Sequence, residues 1–170
     1  MKTSVALVAV YLAAIVAANL SIAAFGPVIA PINAFLLIGL DLVLRDELHD
    51  RFGREHLFLK MFTLIAAGGV ISLLLNPAAY QIAIGSSVAF MLAAAADGVV
   101  YHSWRHKAWW ARSNASNMAG AAVDSIVFPS IAFGFLDWRI VLGMFIAKTL
   151  GGAFWAWVVS VVLRRQRSLG

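Results

Sequence analysis

Apolar residues run through this chain in long blocks, and polar residues gather between the blocks. The first block covers residues 4–25 and stops at Gly26-Pro27. The second follows Pro31, reads INAFLLIGLDLVL, and continues as an amphipathic stretch through Arg45–Asp50, giving a helix over about 32–50. The third covers 57–75 and stops at Asn76-Pro77. Three more cover about 79–100, 115–135 and 139–163. About 20 mostly apolar residues in a helix cross the hydrocarbon core of a bilayer. The pattern therefore predicts an all-α polytopic membrane protein, six transmembrane helices in a single domain over residues 1–170. The connections are short, so consecutive helices are expected to be antiparallel neighbours. No linker, low-complexity segment or internal repeat interrupts the series.

Composition excludes the soluble alternative. Hydrophobic residues make up 62% of the chain and charged residues 12%, where soluble domains sit near about half and about a quarter. Mean hydropathy is +0.88. The charges then orient the bundle. With both termini in the cytoplasm, eleven of the thirteen Lys and Arg fall on the cytoplasmic side, Arg139 falls opposite, and Lys148 lies inside a helix. This is the positive-inside bias of a plasma (inner) membrane protein. It also explains the net charge of +5: the basic residues are spread over loops on one membrane face, so no nucleic-acid partner is expected. Met1-Lys2, an apolar run and Ser-Ile-Ala-Ala also have the form of a secretory signal. The run is longer than a usual signal core and contains Asn19, which favours a retained helix. There is no cysteine, which rules out disulfides and thiolate metal sites.

Against this background the polar residues inside the spans stand out. Asp41, Asp97, Asp124 and Lys148 fall within them, and Asn19, Gln81 and Asn117 lie in or near them. A charge at a helix centre costs about 2.5–3.5 kcal/mol to insert, so such residues face a bundle interior or wet cavity and have a partner. Helical spacing groups them. Asn33, Leu37, Asp41 and Arg45 share a face of the second helix, and Asp41 and Arg45 are placed to pair. Ser86, Phe90, Ala93 and Asp97 share a face of the fourth. Asn117, Gly120, Asp124 and Phe128 share a face of the fifth, with Ser113 one turn earlier. Lys148, Gly152 and Trp155 share a face of the sixth, where Gly152 would allow close backbone approach. The result is a polar seam flanked by aromatics. An Asp124–Lys148 ion pair that only locks two helices is the alternative to a ligand site. Trp104, Trp109 and Trp110 beside a basic loop read as an interfacial belt.

Enzyme signatures are lacking. His102 and His106 have the i, i+4 spacing that binds a metal on a helix, but the chain has four histidines and no second box. No nucleophile elbow, HExxH or phosphate loop occurs. No cofactor, metal or catalytic residue is expected.

Several segments do carry a resemblance. GLDLVLRDELHDRFG, WWARSNASNMAGAAVDSIVFPSIAFG, MFIAKTLGGAFW and AANLSIAAFG are similar, over most of the chain, to motifs of the queuosine-precursor transporter family, also called the vitamin uptake transporter family. That resemblance implies a six-helix fold similar to the substrate-binding subunits of energy-coupling-factor transporters. It implies uptake of a deazaguanine base, the cyano or aminomethyl precursor of queuosine. Asp41 and Arg45 match the second-helix motif, Asn117, Asp124 and Ser125 the fifth, Lys148 the sixth, and Asn19 the Asn-containing first helix. A guanine-like base offers a ring N–H beside an exocyclic amine, and a carboxylate is the complementary acceptor. Asp124 is the first choice to read that edge, with Lys148 or Asn117 at the ring carbonyl and Phe128, together with Phe90 or Trp155, stacking on the ring.

Three classes stay open: a transporter working alone by alternating access, a substrate-binding subunit needing an ATP-driven partner, and a non-transporting structural subunit. For the second, Ala13 and Ala17, or Ala14 and Ala18, offer a small-residue docking face on the first helix. Monomer and homodimer in the lipid are equally open.

Overall fold

The structure is a computed structural model that describes the backbone of residues 2–53 and 55–168 and the side chains of 5–53 and 55–161. Lys2, Arg54, Arg164, Arg165 and Arg167, all used to orient the bundle, lie outside the described side chains.

Six helices succeed one another: α1 (Lys2–Phe25), α2 (Pro27–Phe52), α3 (Leu57–Leu75), α4 (Pro77–Ser103), α5 (Trp109–Ala132) and α6 (Trp138–Ser168). Each break has a local cause. Gly26, Gly53 and Gly134 take φ of 72°, 66° and 73°, a region open to glycine. Pro27 and Pro77 sit in first turns, where a missing N–H costs nothing. Asn76 Oδ1 accepts a hydrogen bond from the Ala78 N–H at 3.1 Å and starts α4.

Five helices have segments long and apolar enough to cross a membrane: Val5–Phe25, Pro27–Phe52, Leu57–Leu75, Pro77–Ser103 and Trp138–Val161. The chain is a multi-pass membrane protein. α5 is the exception among the six expected spans. Its first turns carry Arg112, Ser113, Asn114, Ser116 and Asn117, and it begins at Trp109, ahead of the apolar run expected from about Ala115. Ser113, Ser116, Asn117, Gly120 and Asp124 are all buried against other helices, so this polar face is covered by protein rather than lipid.

The helices close into a ring, in the order α1, α3, α4, α5, α6, α2 and back to α1, with α4 and α5 the most extensive pair. Large side chains such as Leu59, Leu74, Ile84, Leu92, Ile146 and Trp157 face outward, as a lipid-facing surface requires. Inside, Tyr11, Ile15, Leu48, Met61, Ile65 and Phe90 form one apolar cluster, and Ile22, Ala89, Phe128 and Met144 a second.

Two local features shape the interior. α2 contains a π-helical stretch, Ala34–Ile38, between α-helical segments. Beside it α2 and α6 meet backbone to backbone: a Cβ built on Gly39 would lie 2.6 Å from the carbonyl carbon of Gly151, and one on Gly151 would collide with the Phe35 carbonyl. The close approach expected at Gly152 is thus made by its neighbour Gly151. Gly152 faces Asn117, where a Cβ would sit 3.5 Å from the side-chain Nδ2, an ordinary contact.

Candidate functional site

Inside the ring is a narrow cavity of about 20 Å³, enough for about one water, in the half nearer the turns at residues 26, 76 and 135. A formed ligand pocket holds about 300–1,000 Å³, so in this conformation the cavity is closed down and a ligand needs the helices to part. Five of the six helices line it; α3 does not. Asn19 comes from α1, Asn33 and Ile38 from α2, Ser86 and Phe90 from α4, Asp124 and Phe128 from α5, and Met144 and Lys148 from α6.

Asp124 and Lys148 are the charged pair of this cavity. Lys148 Nζ donates to Asp124 Oδ2 in an ion pair and lies 3.4 Å from Ser125 Oγ. The side chains are 4% and 1% exposed. Asp124 Oδ1 is buried and accepts no hydrogen bond. The pair therefore keeps one acceptor unspent at the cavity wall. In such surroundings an unspent acceptor is costly and calls for a donor.

The amides are held by neighbours. Asn19 Nδ2 donates to Ser72 Oγ at 3.0 Å, tying α1 to α3. Asn33 Nδ2 donates to Ser21 Oγ at 2.7 Å and to the Ala18 carbonyl at 3.3 Å, tying α2 to α1. Phe90 and Phe128 give the cavity its two aromatic walls. Phe128 packs edge-on to Phe133 at 5.5 Å between centroids.

Of the residues expected at the site, Asp124, Lys148, Phe128 and Asn19 line the cavity, and Ser125 touches Lys148. Asn117, Asp41 and Arg45 do not line it. They lie in a second buried polar layer, toward the turns at 53 and 105. There Arg45 Nη2 donates to Asp41 Oδ2 at 2.7 Å, the guanidinium being 1% exposed. Arg45 Nε and Nη1 and Asp41 Oδ1 have no hydrogen-bond partner. Asn117 Nδ2 is 3.4 Å from Ser113 Oγ, and its Oδ1 is unpartnered. Trp155, on the face of Lys148, does not line the cavity and packs edge-on against Phe154.

The π-helical stretch accounts for part of this separation. A π turn adds a residue and shifts the register of the helix beyond it. Ile38, five residues after Asn33, lines the cavity and also belongs to the Tyr11 cluster, whereas Leu37, on the α-helical face that holds Asn33 and Asp41, packs against that cluster without lining the cavity. Asn33, Ser86, Phe90 and Met144 complete the cavity. The first three lay on faces recognisable by spacing; Met144 had no such mark.

The second layer holds a residue that the spacing argument passed over. Asp46 belongs to a stretch read as amphipathic, yet every residue from Asp41 to His49 is buried. Asp46 accepts hydrogen bonds from the hydroxyls of Ser113 and Ser116, the latter at 3.3 Å. The serines of SNASN, one helix away, were the visible hint. At the rim Arg112 bonds both oxygens of Asp50, at 3.2 and 2.9 Å, and covers the Tyr101 ring at 4.3 Å. Tyr101 Oη donates to the same carboxylate at 3.0 Å.

The family model described as "putative vitamin uptake transporter" matches residues 3–164, almost the whole chain. No match was found among curated proteins or among solved structures.

Proposed function

We propose, for a chain that belongs to the vitamin uptake transporter family, that the small molecule it imports is a queuosine precursor, a cyano- or aminomethyl-deazaguanine base. The observation that carries this reading is the unspent Oδ1 of Asp124 beside Lys148 in a small cavity with two phenylalanine walls. A flat base with a ring N–H and an exocyclic amine side by side is the complement of a carboxylate. On binding, Asp124 accepts from that donor edge, and the Lys148 ammonium turns to the ring carbonyl. Phe90 and Phe128 sandwich the ring, and Asn33 offers its amide to a remaining edge. The cavity is closed in this conformation, and the helices part to admit the base.

Transport then requires the ring of helices to open alternately at its two ends. The cavity sits in the half toward residues 26, 76 and 135. With the termini in the cytoplasm of a plasma (inner) membrane, that half faces outward. The Asp41–Arg45 layer separates it from the cytoplasm in this conformation. We read Asn117, Asp41 and Arg45 as residues of this inner layer, met by the base after it leaves the cavity.

Ala13 and Ala17 face outward on α1, whereas Ala14 and Ala18 are buried. The exposed pair favours, as a second reading, a docking face for an ATP-driven partner. The deciding experiment is uptake by this chain alone in a bacterium that neither makes nor imports queuosine precursors. Cyano-deazaguanine is supplied at low concentration and queuosine is measured in transfer RNA. Restored queuosine supports a lone transporter. Failure of well-inserted protein rejects it and leaves the partner-dependent subunit or another substrate.

A further inference from the structure

The layer toward residues 53 and 105 contains a second constellation, and it lies apart from the cavity. α2 supplies Asp46 and His49, and α4 supplies Asp97. One carboxylate oxygen from each Asp and one ring nitrogen of His49 lie within 4.8 Å of one another. Three atoms so spaced share a point at most about 2.8 Å from each, and a modest contraction reaches the about 2.0–2.2 Å of zinc bound to imidazole and carboxylate. All three residues are interior: Asp46 and Asp97 are 0% exposed and His49 is 4% exposed.

Two of them have unspent ligand atoms. Neither oxygen of Asp97 accepts a hydrogen bond, and His49 Nδ1 has no partner. Asp46 is oriented by the Ser113 and Ser116 hydroxyls, the kind of support that fixes a metal-binding carboxylate. The charge balance points the same way. Asp41 is paired with Arg45, Glu47 with Arg51 and Asp124 with Lys148. Arg45, bridged to Asp41, also attracts Asp46 and Asp97 through space, but among the described residues neither of these carboxylates forms an ion pair, and the one Arg charge faces three carboxylates. Two carboxylates in a protein interior need compensation, and one divalent cation cancels both.

From these observations we propose that Asp46, His49 and Asp97 bind a divalent first-row transition-metal cation. The imidazole selects the class. Calcium and magnesium take all-oxygen sets, whereas zinc, cobalt and their neighbours accept imidazole with carboxylate. Access is from the end of the bundle. A cleft of about 230 Å³ opens there between Leu57, Phe58, His102 and Arg105. The His102 ring stacks on His49 at 6.1 Å between centroids, so the ligands lie one ring behind the cleft. The bound cation would clamp α2 to α4 on the opposite half from the cavity. This inference does not depend on the identity of the transported molecule.

The test uses the full chain in detergent, stripped with a chelator and titrated with zinc chloride or cobalt chloride. The expected result is saturation at one cation per chain, with a raised unfolding temperature and, for cobalt, a visible absorption band. His49→Gln and Asp97→Asn should each weaken binding by more than about 100-fold, beyond the 10–100-fold that loss of a supporting partner costs. His56→Ala, at an exposed position beside Glu55, should leave it unchanged. Should either ligand variant fail to fold, cobalt added to the wild-type chain must shift the imidazole resonances of the buried His49. The proposal is overturned by the absence of saturable binding. It is equally overturned by binding that survives both ligand variants, by His49 resonances that cobalt leaves in place, or by stabilisation that sodium ions or acid alone reproduce without any bound metal.

Discussion

Lys148 on α6 and Asp124 on α5 form an ion pair that is almost completely withdrawn from solvent, and the second oxygen of that carboxylate is left without a donor. The pair holds two helices together and at the same time keeps an acceptor ready. Stability and binding therefore respond differently when it is changed.

Asp124→Asn and Lys148→Met should each lower stability by about 3–5 kcal/mol, because each leaves a buried charge uncompensated. The double variant removes both charges and should regain most of that loss. It should not regain uptake. Thermal unfolding in detergent reads the first effect and accumulation of labelled base the second. Recovery of transport by the double variant would show that the pair is only a clamp.

Gly151→Ala should destabilise the bundle by about 1–3 kcal/mol, the usual range for overpacking, since the added Cβ meets the Phe35 carbonyl. Gly152→Ala, with 3.5 Å to its nearest neighbour, should be nearly neutral. Comparing the two unfolding temperatures tests the backbone contact between α2 and α6. Equal effects would mean that the helices cross elsewhere.

Ser72→Ala removes the hydroxyl that accepts from Asn19 Nδ2 at 3.0 Å. Interhelical hydrogen bonds within membranes average about 0.6 kcal/mol, and a loss of that order is expected. Substrate affinity should change as well if the freed amide swings into the cavity. Ligand-dependent thermal stabilisation of the variant measures this directly.

Deleting one residue within Ala34–Ile38 should turn the π-helical stretch into continuous α-helix. The deletion takes out the residue that the π turn adds, so Ile38 then stands four residues after Asn33 on an α-helical face and the register beyond is kept. Helical content by circular dichroism and uptake should both persist. Loss of uptake by well-inserted protein would show that the π turn itself, and not only the register it sets, shapes the site.

The sequence by itself determined that this is an all-α, multi-pass membrane protein of six helices. Those features are local. A block of apolar residues, a Gly with positive φ or an Asn-Pro pair acts on its own neighbours whatever the rest of the chain does. Spacing also marked Asp124 and Lys148 as costly residues in facing spans, since the insertion cost of a charge depends on depth alone. Which residues meet was a different matter. The division into a cavity holding Asp124 and Lys148 and a separate layer holding Asp41, Arg45, Asp46 and Asp97 comes from how six helices close into a ring. The π-helical turn that moves Ile38 into the place of Leu37 has no signature in AFLLI. Nor does the burial of Asp46 through His49, which reads as an amphipathic surface until Ser113 and Ser116 arrive from α5 to cover it. Those outcomes depend on contacts between residues far apart in the chain, and only the tertiary structure fixed them.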